Sequence, residues 1–322
     1  QDTAVERCEG KWQVPGKLNI AGMSATAYFF ANRLREQLNV PIGIINSSWG
    51  GSSVEGWMSR ELVEKYNDLD LTAEYSADET WKKPWVMYNG MLHPLRHYTI
   101  KGFCWYQGES NTDRYATYQQ KLTEMITFWR TEWNLGDLPF YLVEIAAYNY
   151  TSGINAALLR TAQFNCHALN SNVGIICTND LVSEAELEII HPPRKKEVGE
   201  RLANYALFNT YQYSSIQAQS PSFASYLFRE NAIVLYFDNL YDGILPMEDF
   251  QGFEIAGEDA IFYPAKATLS EDRKTLRVEA PEVTKPTAVR YCYKNFQLGN
   301  VKNSAGLPLF GFSLVTSAAK EE

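Results

Sequence analysis

The sequence predicts an α/β domain on a parallel sheet, followed by a small all-β module. Three observations carry this expectation. Up to about residue 207, short apolar runs alternate with amphipathic helical stripes. Several of the apolar runs end in glycine or polar residues, as strands do at the carboxyl edge of a sheet, where α/β proteins place ligands. After about residue 213 the helical stripes stop, and short strand-like runs separated by turn residues take over. The boundaries so read are 1–213 and 214–322.

Taken in order, residues 1–22 carry little pattern. Tyr28, Phe29, Ala31, Leu34 and Leu38 form a helical stripe with Ser24 as its cap. The run from Val40 to Asn46 reads as a fully buried strand that stops at a Gly50-Gly51 turn, whose amides could face an anion. Residues 59–84 read as a surface excursion. His93 and His97 lie in the lead-in to a central strand, Tyr98 to Trp105, and a histidine before proline reads as structural. Gly108 breaks that strand, and Glu109, Ser110 and Asn111 follow. Tyr118, Leu122, Met125, Ile126 and Trp129 then mark a helix ending near Trp133. Leu138–Ile145 and Val173–Thr178 read as strands, Leu158–Ala168 and Lys195–Leu207 as helices. Residues 232–237, 252–256, 260–263, 275–278 and 288–293 are the short strands of the β module, a small sandwich.

With 45% hydrophobic and 21% charged residues among 322, the chain can bury a sizeable core. A formal charge of −9 argues against nucleic acid or an anionic membrane as main partner, since both need a basic face. The 14% aromatic content suits either a sugar-facing surface or a large core. The five cysteines form no CxxC pair, so neither a zinc site nor a disulfide framework is indicated; Cys104 and Cys177 read as buried thiols. No stretch approaches the length of a membrane span. Residue 1 is Gln, which leads us to expect a removed signal peptide or a longer upstream piece.

Three strand ends present polar groups: residues 47–53, 107–111 and 180–191. A carboxylate, a hydroxyl and an amide at one strand end point to acyl transfer. His191, stiffened by two prolines, suits a general base, because a neutral imidazole can accept a hydroxyl proton near pH 7. A nucleophile elbow at Gly108-Glu109-Ser110-Asn111-Thr112, completed by Asp180 and His191, is one arrangement; Thr112 stands where the elbow needs glycine. In the other, Glu109 and Asn111 support a nucleophile that lies elsewhere.

The ordered set IGIINSSWGGSSVEGW (42–57), YNGMLHPL (88–95), KGFCWYQGESN (101–111), LPFYLVEIA (138–146), LLRTAQ (158–163) and IHPPRKKEVGERLA (190–203) closely resembles the sialate O-acetylesterase family of SGNH-type carbohydrate esterases, related to acetylxylan esterases. VRYCYKN to GLPLFGF (289–312) resembles the carboxyl-terminal region of the same family. The resemblance implies a flavodoxin-like sheet, no metal or organic cofactor, an acetylated sugar or sialic acid as substrate, and a periplasmic or secreted location. It implies that Gly50 or Gly51 contributes an oxyanion-hole amide, that Trp49, Gln107 and Asn111 belong to the oxyanion or substrate-binding groups, and that His191 is the base. Glu109, Asp180 and Glu188 are the carboxylates that could orient its imidazole.

The sequence departs from the family in one respect. The family's nucleophilic serine lies in a GQSN-type block before the first aligned motif, and no such block occurs here. Either an upstream segment of the same gene product supplies it, or this chain is a variant without the nucleophile. The rival reading is a glycan-binding protein that keeps the pocket and does no chemistry.

Overall fold

The computed structural model describes residues 1–151 and 153–315; the last residues assigned to the β module, 316–322, lie outside them. The helices are α1 (Ala25–Leu38), a single turn α2 (Arg60–Val63), α3 (Tyr115–Trp133), α4 (Asn155–Leu169) and α5 (Lys195–Asn209). Among them run β1 (Phe103–Trp105), β2 (Phe140–Val143) and β3 (Val173–Ile176). These strands form one sheet in the order β1-β2-β3, with β1 parallel to β2 in the register Phe103 to Phe140 and Trp105 to Leu142. The chain divides into two compact units, residues 1–145, 162–175 and 195–206 in the first, and 146–161, 176–194 and 207–322 in the second.

In the first unit, sequence and local structure agree well for the helices. The Ser24 hydroxyl accepts from the Ala27 N–H and starts α1, as its position before the apolar stripe predicts. Asn39 and Asn134, both in the left-handed region, end α1 and α3. The stripe of α3 buries Tyr118, Leu122, Met125, Ile126, Trp129 and Trp133. Much of the aromatic content becomes core here. Trp129 meets Phe103, Trp105 and Phe140 at ring-centroid distances of 5.3, 5.6 and 5.6 Å, and Trp57 meets Trp105 edge-on at 6.1 Å. Each such pair adds about 0.5–1.5 kcal/mol beyond area burial. Helix α5 approaches α1 at Gly199, where a Cβ would lie 2.5 Å from the Thr26 carbonyl oxygen; only glycine fits.

Two expectations are corrected. Val40–Asn46 is not a strand: none of its residues is buried, and among the described residues no strand pairs with it. An apolar run becomes a strand only where a neighbour supplies a hydrogen-bond ladder. The central strand is shorter than Tyr98–Trp105, since residues 98–102 carry no ladder and β1 begins at Phe103. Cys104 in the outer strand β1 keeps exposed surface, yet burial pushes its thiol up to about 12; Cys177 is buried as expected.

The second unit contains β4 (Ser222–Arg229), β5 (Ala232–Asp238), β6 (Ile244–Leu245), β7 (Phe253–Ala256), β8 (Tyr263–Pro264), β9 (Lys266–Leu269), β10 (Thr275–Glu279), β11 (Ala288–Tyr291), β12 (Lys302–Asn303) and β13 (Phe312–Val315). Two four-stranded sheets, β4-β5-β10-β9 and β13-β11-β7-β8, share one core that includes Ile233, Leu235, Ile255, Leu276, Val278, Val289 and Tyr291. Strands β4, β9 and β13 had no counterpart in the periodicity. The run predicted at 260–263 shrinks to the two-residue β8.

Candidate active site

At the carboxyl end of β1, in the first unit, two loops are fastened together. One is the turn through Trp49, Gly50 and Gly51; the other runs from Gln107 to Asn111. Gly51 has φ +78°, which side-chain-bearing residues rarely adopt, and a Cβ there would lie 3.1 Å from the Trp81 ring. Both glycines and Trp49 are exposed, while residues 52–59 are buried. The Ser52 hydroxyl donates to the Trp49 carbonyl at 2.7 Å and accepts from the Trp57 indole at 2.9 Å. That indole belongs to the aromatic core, so the turn is anchored to it.

The second loop grips the first from below. The Ser110 hydroxyl donates to the Gly51 carbonyl at 2.7 Å. The Gln107 amide donates to the Ser52 carbonyl at 3.1 Å and to the Asn111 Oδ1 at 2.8 Å. The Gln107 Oε1 accepts from the Tyr118 hydroxyl at 2.9 Å. Asn111 is wholly buried; its Oδ1 accepts from the Val54 N–H at 2.9 Å, and its Nδ2 donates to Glu55 at 2.9 Å. Gln107 and Asn111 thus spend their polar atoms on the turn. Asn111, expected among the oxyanion groups, is bonded through its amide to Val54, Gln107 and Glu55 and so braces the turn.

Beneath Asn111 lies a cluster that sequence reasoning missed. Glu55 accepts from Lys121 Nζ at 2.7 Å and from Arg114 Nε at 3.3 Å. Lys121 also donates to both oxygens of Asp68, at 2.6 and 2.7 Å, and Thr117 donates to Asp68 as well. Burial alone would raise the Glu55 carboxyl, but the charges of Arg114 and Lys121, with hydrogen bonds from Lys121 and Asn111, hold it down to about 2. One signal was available. Lys121 sits three residues after Tyr118 and four before Met125, on the apolar face of α3, where a lysine needs a buried counter-charge.

Glu109 is half-buried beside this platform. Nearby, Lys195 donates to the Tyr106 hydroxyl at 3.1 Å and lies 4.7 Å from its ring centre. Burial pushes the Lys195 ammonium below its ordinary value, with the charge of Glu109 acting the other way. The Ser110 proton is engaged by a backbone carbonyl, which is no base, so an elbow built on Ser110 has no support here.

His191 belongs to the second unit. It is exposed, and among the described residues no hydrogen bond or ion pair fixes its ring. Of the carboxylates expected near it, Asp180 is paired with Lys302 at 2.8 Å and Glu188 accepts from the Asn149 amide at 2.6 Å. Arg194 donates to the Asp180 carbonyl at 3.2 Å, and a capping box between Ser183 and Glu186 shapes the loop. His93 is structural as expected, its Nδ1 lying 3.0 Å from the Val5 carbonyl.

Residues 11–207 match the family model described as carbohydrate esterase, sialic acid-specific acetylesterase. A carbohydrate acetylesterase from Xanthomonas citri has a similar structure, with a TM-score of 0.87 and 32% identity, covering 98% of this chain and 71% of its own. The sialate O-acetylesterase of Mus musculus is 28% identical over 251 residues, which are 64% of this chain and 46% of the mouse protein. That of Homo sapiens is 34% identical over 152 residues, 42% of this chain and 29% of the human protein. The chain thus spans about half the length, or less, of the curated relatives it matches.

Proposed function

We infer that this chain, which belongs to the carbohydrate esterase family of sialic acid-specific acetylesterases, serves the hydrolysis of acetyl esters on sugar hydroxyls. The observation that carries this reading is the exposed Gly50-Gly51 turn, held at positive φ by Gly51 and braced from below by Gln107, Ser110 and Asn111. A braced, exposed turn suits an oxyanion, which must be met by donors that do not reorganise during the reaction.

The chemistry we propose is nucleophilic. A serine hydroxyl attacks the acetyl carbonyl, and His191 takes its proton. The oxyanion rests on the amides of the glycine turn. His191 then protonates the departing sugar alcohol, and water releases acetate from the acyl-enzyme. The serine belongs to a GQSN-type block, and the 322 residues contain none. Sialic acid is the favoured substrate because the mammalian relatives carry the name sialate O-acetylesterase; acetylated xylan is the alternative. A periplasmic or secreted location goes with that reading.

Acetate release from O-acetylated sialic acid and from acetylated xylo-oligosaccharides, measured with the full-length gene product, tests the proposal. Turnover of either supports it, and the ratio of the two values of kcat/KM assigns the substrate. Saturable binding of both sugars with no acetate formed would establish the glycan-binding reading instead.

A further inference from the structure

We propose that Glu55 is a positioning residue for the glycine turn, its carboxylate fixing which way the Asn111 amide faces. This rests on the reading of that turn as an oxyanion site, and Glu55 itself touches no substrate. The Asn111 oxygen accepts from two donors, the Val54 N–H and the Gln107 amide. Were the Asn111 amide reversed, its NH₂ would face both donors and the grip on Val54 would be lost. An amide has no strong preference of its own between these orientations. The Val54 N–H, which can only donate, and the Glu55 carboxylate, which can only accept, impose one from opposite sides.

The wiring shows what else depends on that orientation. Val54 lies three residues beyond Gly51, in the same buried run as Ser52, and Gln107 holds the Ser52 carbonyl. Glu55 collects donors from Asn111, from Arg114 and from Lys121 in α3. Arg114 also donates to the Ser110 carbonyl at 3.0 Å, and the Ser110 hydroxyl holds Gly51. Both routes from Glu55 therefore end on the turn. Stability does not explain such a cluster, since well-packed apolar residues can replace a buried ion pair without loss. Orientation does explain it.

The test compares Glu55→Gln/Lys121→Met with wild type in the full-length protein. The double variant leaves no uncompensated Lys121 charge facing residue 55, so it separates folding from positioning. Its Tm stays near wild type, hydrogen exchange at the bonded Ser52 and Val54 amides speeds up about tenfold, and kcat for acetate release falls about 100-fold with KM within about twofold. Wild-type exchange at those amides overturns the proposal, whatever the activity. If wild-type protein releases no acetate from any acetylated sugar, the esterase reading fails separately, and exchange alone decides the role of Glu55. Should the double variant not fold, Glu55→Asp takes its place: the shorter carboxylate keeps the charge but misses Asn111, and unchanged protection of the Ser52 and Val54 amides overturns the proposal in the same way.

Discussion

The glycine-turn platform and the histidine loop are opposites in construction. In the first unit, Asn111, Glu55 and Lys121 are buried and bonded to one another and to the backbone. In the second, His191 is exposed and its ring has no hydrogen bond among the described residues. The contrast teaches how one chain divides its polar residues. On the proposed reading, the supports of donors that must not move are built into a core, and the group that must change protonation is left where solvent reaches it. Substitutions in the two regions should therefore fail differently, one by stability and the other by chemistry.

The largest stability effect belongs to Glu55→Ala. It removes three hydrogen bonds and leaves Lys121 dependent on Asp68 alone. We expect a loss of about 3 kcal/mol in urea unfolding, the lower end for a broken buried pair because Asp68 remains. A loss below about 1 kcal/mol would mean that the cluster does not brace the platform.

The pH dependence sharpens the same point. Glu55 is held down to about 2 in the folded protein, against 4.5 for an unperturbed carboxyl. Its contribution is fully present above pH 4.5 and is lost as pH falls toward about 2. Stability of wild type minus that of Glu55→Gln should therefore shrink by up to about 3 kcal/mol across this window. A difference that stays flat with pH would show that Glu55 is not ionised in the fold.

Gly51→Ala should cost less stability and more activity. At φ +78° a Cβ is strained and meets the Trp81 ring, so roughly 1–2 kcal/mol of stability is lost. Displacing the turn amides lowers kcat about 100-fold, with KM little changed. A selective loss in KM would place the turn in sugar binding instead.

Much of this was legible in the sequence. The stripe of α3, the apolar runs of β2 and β3 and the change of pattern after residue 213 all follow from side-chain periodicity, which packing enforces. The Gly50-Gly51 turn and the Gln107–Asn111 loop stood out because glycine and polar residues interrupt apolar runs. Less legible was anything that depends on a neighbour. Val40–Asn46 carries a strand's composition, yet a strand exists only where another pairs with it. Glu55 carries no local signal of its role, since its partners Lys121 and Arg114 lie 66 and 59 residues away along the chain. Nothing in the pattern around Asn111 says whether its amide faces a ligand or a buried carboxylate.

Acetate release by His191→Ala in the full-length gene product, paired with its Tm, tests the division between the two regions most directly. An exposed, unbonded histidine predicts a Tm within about 1 °C of wild type and a fall in kcat on the order of 10²-fold or more. Acetate release at the wild-type rate would contradict it.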